Sequence, residues 1–320
     1  MNSLDKMRTA ASSDESVEAT GVELTEVDIL AGAIWLAGVL RVPAGSPDPG
    51  PALVLTGPFT GVKEQVVGNY AAALAAAGYV TLTFDHRNFG ASAGPIRQHE
   101  DGAGKLEDLR AATSHLAAHD RVDERRLGCV GVCLGGGYAL RHSAFDPRIR
   151  VLAVVAAAFN DPRAMRDGMG AEGYRAMMTR FADADQEQFS TGRIDYLPAV
   201  SADRGAEAAM PGVEPFEYYG TARSSSPGWV NRVTRLSIRE LLTFDAAMGA
   251  DFLGPTPALI VHGRRDEFCS PAAAQAIHDR ITGPKELLWL DTTNHIDLYD
   301  QPAFLTPAVD RISDWMSEHL

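Results

Sequence analysis

Cysteine is scarce in this chain: three in 320 residues, Cys129, Cys133 and Cys269. An odd number excludes a fully paired disulfide framework, and the absence of a CxxC pair removes the common zinc and redox motifs. So little cysteine fits a reducing interior, and a cytoplasmic setting is expected. Basic residues are also short, with Lys+Arg 29 against Asp+Glu 42 and a formal net charge of −13. No basic run is present to neutralise phosphates or anionic headgroups, so neither nucleic acid nor a membrane is expected as partner. Long apolar runs are missing too. The first, Ile29 to Leu40, is too short to span a bilayer and follows acids rather than lysines. Residues 1–20 are polar and mixed in charge, which reads as a mobile tail without a secretory leader. There is no internal repeat, and Gly131 to Gly137 lacks the Lys-Ser/Thr that a P-loop needs.

What remains is the composition of a globular enzyme-sized chain, 45% hydrophobic and 22% charged, long enough for a substantial core. Ile29 to Leu40 reads as a strand of an early hairpin ending at Pro43. From Pro51 strand and helix patterns alternate. Strands are expected at Ala52 to Thr56, Val80 to Phe84, Arg126 to Val132 and Val151 to Ala157. Helices are expected at Gln65 to Ala77, Lys105 to His119 and Gly135 to Ala144. That alternation predicts an α/β fold, a mostly parallel doubly wound sheet with helices on both faces. It stops over residues 159–251, which carry methionine, aromatics and charge without strand signals. It resumes with a strand at Ala258 to His262, a helix at Ala272 to Ile281, a strand at Glu286 to Leu290 and a last helix ending at Leu320. The expected division is a tail over 1–20, a core over 21–158 and 252–320, and a helical cap or lid over 159–251, inserted after the sixth strand.

One motif stands out. Gly131-Val-Cys-Leu-Gly135 joins a strand directly to a helix, with Gly136 and Gly137 following. A nucleophile in such a turn needs small flanks, because side chains there would crowd neighbouring backbone. The helix start aims amides at the thiol, which favours thiolate and can hold an oxyanion. Cys129, inside the strand, reads as a buried structural thiol. A thiol nucleophile needs a base and the base an orienting acid. Asp266 follows the strand ending at His262, and His295 follows the strand ending at Leu290, so both fall in loops at the carboxyl ends of strands, where catalytic groups collect. Glu267 and Asp291 compete for the acid role, and His262 and His319 for the base. Leu134 and Phe59 are the candidate oxyanion amides, with Thr60 second to Phe59; Pro58 has no N–H to give. Asp85-His-Arg87 lies on the same edge, and Arg87 reads as a loop anchor. Met177, Tyr218, Tyr219 and Trp229 are the candidate substrate-binding residues of the inserted segment, alongside Phe59.

These stretches together resemble the α/β-hydrolase superfamily, in particular its dienelactone-hydrolase-like branch. The similarity rests on Gly57-Pro-Phe-Thr-Gly-Val-Lys-Glu-Gln65, Phe84-Asp-His-Arg-Asn-Phe-Gly-Ala-Ser92, the cysteine elbow, His262-Gly-Arg-Arg-Asp266 and Asn294-His-Ile-Asp-Leu-Tyr299. It implies the α/β-hydrolase fold and a Cys133-His295-Asp266 triad. The chain differs from dienelactone hydrolase in having no acid in the first oxyanion loop before Lys63-Glu64, and in its large insertion. The expected activity is cleavage of an ester, lactone or thioester of a mid-sized, partly apolar substrate through an acyl-cysteine. The alternative on the same residues is acyl transfer, cyclisation or elimination in secondary-metabolite biosynthesis, and a non-catalytic binding protein stands behind both. A small-molecule acyl substrate is the expected partner, a homodimer is left open, and no cofactor or metal is expected.

Overall fold

The computed structural model describes residues 21–45 and 49–320; the tail expected over 1–20 lies outside the described residues. The chain opens with an antiparallel hairpin, β1 (Val22–Ala31) and β2 (Ile34–Pro43). The apolar run Ile29 to Leu40 is therefore two strands rather than one. Gly32, at φ +64°, makes the turn that splits it, a conformation glycine adopts without strain.

Next come β3 (Gly50–Thr56), α1 (Val66–Ala76), β4 (Val80–Phe84), α2 (Gly102–Ala117), β5 (Val122–Val132), α3 (Leu134–Phe145) and β6 (Ile149–Val155). After β6 the chain leaves the sheet for α4 (Pro162–Met169), α5 (Ala171–Thr191), β7 (Tyr196–Leu197), β8 (Val200–Ser201), β9 (Met210–Pro211), α6 (Val213–Tyr219), β10 (Val233–Thr234), α7 (Leu236–Thr243) and α8 (Gly249–Phe252). This stretch carries no strand signals in sequence and is expected to be mostly helical. Its middle instead holds two-residue strands, paired β7 with β10 and β8 with β9. The sheet resumes with β11 (Ala258–Gly263), α9 (Pro271–Arg280), β12 (Lys285–Leu290), α10 (Asp297–Asp300) and α11 (Pro302–His319). No helix among the described residues is long and apolar enough to cross a membrane.

The eight-stranded sheet runs β1-β2-β4-β3-β5-β6-β11-β12, parallel from β4 onward. Side chains of a strand alternate between faces, and both faces here are dry. Ala52 and Val54 of β3 pack with Leu109 and Leu116 of α2 and Leu140 of α3 on one face. Leu53 and Leu55 pack with Tyr70 and Leu74 of α1 and Ile312 of α11 on the other. Register then fixes the chemistry: Val132 lies level with Val155, and Val155 with Val261, while Gly263 lies level with Leu290. The segments leaving β5, β11 and β12 therefore emerge side by side at one edge.

Buried charge braces that edge. The Asp85 carboxylate, 1% exposed, accepts Lys63 N at 2.8 Å, Lys63 Nζ at 2.9 Å and Ala91 N at 2.9 Å. Arg87 donates through Nε to Asp108 at 2.8 Å, and Asp108 also accepts Arg87 N at 2.9 Å, so Arg87 is a loop anchor. His86 meets the same Asp108 at 3.2 Å and Thr56 Oγ1 at 2.8 Å. Removing one partner of a buried ion pair leaves the other uncompensated, which typically costs ~3–5 kcal/mol. Asp85→Ala should lose at least about 3 kcal/mol in urea denaturation; a loss under about 1 kcal/mol would show that Lys63 is solvated or re-paired.

Candidate active site

Cys133 occupies the turn between β5 and α3 at φ 55°, ψ −123°, a region costly for a residue with a side chain. Its backbone is pinned on both sides: its N–H donates to Val155 O at 2.9 Å, and its carbonyl accepts Gly136 N and Ala158 N, each at 2.9 Å. The flanking glycines are required by contact. A Cβ on Gly135 would stand 2.3 Å from Thr56 O, and one on Gly131 would stand 2.5 Å from Gly135 O. This packing brings the loop after β3 against the elbow. In that loop Phe59 is buried, and Leu134 is buried at the first position of α3. Among the described residues neither Phe59 N–H nor Leu134 N–H meets an acceptor. Thr60, at φ 61°, turns the loop back and accepts Trp229 Nε1 at 3.4 Å.

Asp266 and His295 come together from adjacent loops. His295 Nδ1 lies 2.6 Å from Asp266 Oδ2. The other carboxylate oxygen, Oδ1, accepts the backbone N–H of Phe268 at 2.8 Å and Cys269 at 2.7 Å. The histidine loop is shaped by Asp297, whose Oδ2 accepts Thr293 N at 2.7 Å and Thr293 Oγ1 at 2.8 Å. Thr292 Oγ1 donates to Arg265 O at 3.0 Å and ties the two loops together. The rivals are elsewhere: Glu267 pairs with Arg204 and Asp291 with Arg264, both at the surface, His262 is buried behind Asp266, and His319 packs on Trp315.

The Cys133 sulfur, the Cys269 sulfur and a ring nitrogen of His295 all lie within 4.8 Å of one another. The two sulfurs are 3.9 Å apart. His295 Nε2 lies 2.9 Å from the Tyr299 hydroxyl, and the same ring interacts with the Cys133 sulfur. Three residues of this site were missed by sequence reasoning: Cys269, Tyr299 and Glu214. Tyr299 follows His295 by four positions across the start of α10, a spacing that puts two side chains on one helix face. Glu214, in the first turn of α6, accepts His295 N at 2.5 Å and Ile296 N at 3.3 Å. Nothing local in sequence marks it.

The candidate substrate-binding residues divide. Tyr219 stacks on Trp229 with ring centroids 5.6 Å apart, and Tyr218 stands edge-on to Tyr219 and Tyr299 at 4.9 and 4.8 Å. Tyr218 is fully buried beneath the others. Met177 lines a cavity of about 480 Å³ with Arg180, Phe181, Leu197, Arg235 and Ile238, where α5 packs on α7.

Electrostatics follow from this packing. Cys133 is held well below the ordinary thiol value: the hydrogen bond with Cys269 is the largest influence, burial opposes it, and the charge of His295 adds to it. Cys269 is pushed well above that value, first by the same bond and then by burial. For His295 burial disfavours the imidazolium, but the Cys133 sulfur and the Asp266 carboxylate outweigh it and raise the ring to about 10. Burial pushes Tyr219 and Tyr299 well above the usual phenol value, so both remain neutral hydroxyls. Cys129 is pushed up to about 12 by burial and stays an inert thiol.

The family model described as alpha/beta hydrolase fold matches residues 51–302. The chain is 31% identical over 277 residues to the Pseudomonas aeruginosa protein PA2218, spanning 84% of this chain and 73% of that one. The crystal structure of PA2218 superposes with a TM-score of 0.85, covering 94% of this chain and 95% of that chain at 29% identity. The chain is 26% identical over 265 residues to the acyltransferase drtE of Aspergillus calidoustus, covering 81% of this chain and 84% of the relative. It is 25% identical over 259 residues to the thiohydrolase aneE of Aspergillus aculeatus, covering 80% and 81% respectively.

The directions of the Cys133 and His295 shifts predict a thiolate–imidazolium pair. It persists below the ordinary thiol range and dissolves as pH rises through about 10 or falls through the depressed thiol value. Alkylation of Cys133 by iodoacetamide should therefore change little between pH 8 and pH 6. An ordinary thiol would slow by a factor on the order of 100, because its thiolate fraction falls with pH. A tenfold fall per pH unit, followed by peptide mapping of Cys133, would show a normal thiol.

Proposed function

Since the chain belongs to the α/β-hydrolase fold family, we propose that it is an acyl-cysteine enzyme that cleaves an ester, lactone or thioester. The observation that carries this reading is the cluster of a thiol in a strained elbow, Cys133, beside the His295–Asp266 pair. The thiolate attacks the substrate carbonyl. The Phe59 and Leu134 amides hold the oxyanion, and the His295 imidazolium gives its Nε2 proton to the leaving oxygen or sulfur. Neutral His295 then takes a proton from water as that water attacks the thioester, and the acid leaves with Cys133 restored as thiolate. Asp266 fixes the imidazole tautomer and favours its charged form.

Residues 159–251 act, in this reading, as the cap. Their Tyr219 and Trp229 stand over the elbow and exclude water, which strengthens every charge interaction beneath them. The acyl chain then lies against Phe59, Tyr219 and Trp229, which suits a mid-sized, partly apolar small molecule. A second reading, transfer of the acyl group to an amine, alcohol or thiol, is favoured by the Tyr299 hydroxyl on His295 Nε2. It stands where a deacylating water would be activated, and a thioester intermediate reacts readily with other nucleophiles. Similarity to both an acyltransferase and a thiohydrolase supports the shared first half-reaction.

Turnover of aryl esters and thioesters tests the reading. Cys133→Ala should lower kcat/KM by roughly 10³-fold or more, the scale of losing a member of such a triad. The rate should rise with acyl length beyond acetyl, and Trp229→Ala should change that preference more than the melting temperature. Near-normal turnover in Cys133→Ala would sink the covalent route. A response that is flat beyond acetyl would sink the apolar acyl pocket.

A further inference from the structure

We propose that Cys133, Cys269 and His295 form a binding site for a thiophilic divalent cation, Zn²⁺ above all, which occupies the nucleophile and switches it off. The site is defined by the spacing of its donors, whichever acyl reaction the protein performs. Tetrahedral zinc has Zn–S near ~2.3 Å and Zn–N near ~2.0–2.1 Å, so two thiolate ligands lie about 3.8 Å apart and a sulfur and a nitrogen about 3.6 Å apart. The Cys133 and Cys269 sulfurs are already 3.9 Å apart. The His295 nitrogen lies within 4.8 Å of both sulfurs. It needs to close by no more than about 1.2 Å to reach the tetrahedral edge.

The surrounding shell is of the kind such a site requires. Metal-bound histidines commonly give their other ring N–H to a carboxylate, which fixes the tautomer and raises ligand basicity. Asp266 does this, with Oδ2 at 2.6 Å from His295 Nδ1. Its Oδ1 holds the Cys269 backbone at 2.7 Å, so one carboxylate positions two of the three ligands. Soft sulfur and imidazole donors select zinc-like ions over calcium or magnesium. Cys133 is only partly buried, so the cluster is open to an approach from solvent, and water would complete the tetrahedron as the fourth ligand. Binding uses both sulfurs as thiolates and Nε2 as a lone pair, so their protons pass to solvent and the Tyr299 hydroxyl gives up its bond to Nε2. No electron moves, and a chelator reverses the step. Cys269 has no place in a Cys–His–Asp triad; here it is the ligand that turns a weak two-donor site into a three-donor one.

The test uses the full chain without a histidine tag, stripped of metal. Zn²⁺ is titrated in competition with a chromophoric chelator, and Co²⁺ is used as a spectroscopic stand-in. One equivalent should bind, and Co²⁺ should show thiolate charge transfer with tetrahedral ligand-field bands. Cys269→Ser should weaken Zn²⁺ binding at least tenfold and diminish the charge-transfer band. His295→Gln, checked for folding by circular dichroism, should weaken it likewise and so covers the case in which the serine variant fails to fold. Unchanged affinity in a folded variant of either residue would overturn the proposal. So would an octahedral Co²⁺ spectrum lacking charge transfer. Since the readouts are affinity and spectrum, an error in the acyl-cysteine reading would leave this result unaffected.

Discussion

The Asp266 carboxylate is the joint on which the site depends. One oxygen takes His295 and the other takes two backbone amides of its own loop, Phe268 and Cys269. A carboxylate satisfied in this way on both sides cannot rotate without breaking charge-assisted bonds, each worth more than a neutral one. Its position in turn follows from the sheet. β11 and β12 are parallel neighbours in register, so the loops that leave them run together, and the Thr292 hydroxyl fastens one to the other. The histidine is thus aimed by packing laid down well away from it.

The elbow contributes the complementary constraint. Cys133 keeps a strained backbone because hydrogen bonds to Val155, Gly136 and Ala158 over-determine it, and because the glycines at Gly131 and Gly135 let the β3 loop close against it. The inserted segment joins this frame at several points, Gln65 to Ser224 O and Arg223 to Ile296 O among them. Trp229 reaches Thr60 in the β3 loop, and Glu214 caps the backbone at His295. Burial raises the Glu214 carboxyl while the His295 amide and charge pull it down, so its ionisation is coupled to the histidine it holds. Segment and site are therefore one mechanical unit, and a disturbance of α6 reaches the histidine through the Glu214 carboxylate and through the rings packed on Tyr299.

Much of this was legible in the sequence where chemistry and local geometry coincide. Glycines around Cys133 specify the turn, and apolar runs ending at His262 and Leu290 put Asp266 and His295 at strand ends. The strand and helix alternation was equally plain, apart from the turn at Gly32 that divides the first apolar run. The unseen parts depend on distance along the chain. Glu214 meets His295 across 81 positions, and Cys269 meets Cys133 across 136, so no local pattern could pair them. The packing of Met177 was not legible for a different reason: an apolar residue on a largely exposed helix does not declare which neighbour its face will meet, and α5 packs on α7. The resemblance to the α/β-hydrolase superfamily carried no information on the inserted segment, whose short strands have no apolar alternation to announce them.

The most direct measurement of the central claim is the site of acylation. The protein is mixed with an aryl thioester of a medium-chain acid, quenched in acid during the first turnovers, digested and read by tandem mass spectrometry. The account predicts the acyl mass on the peptide carrying Cys133, on the sulfur itself, with Cys129 and Cys269 unmodified. Turnover of the same thioester with no acyl group on Cys133, or with the label on another residue, would contradict it.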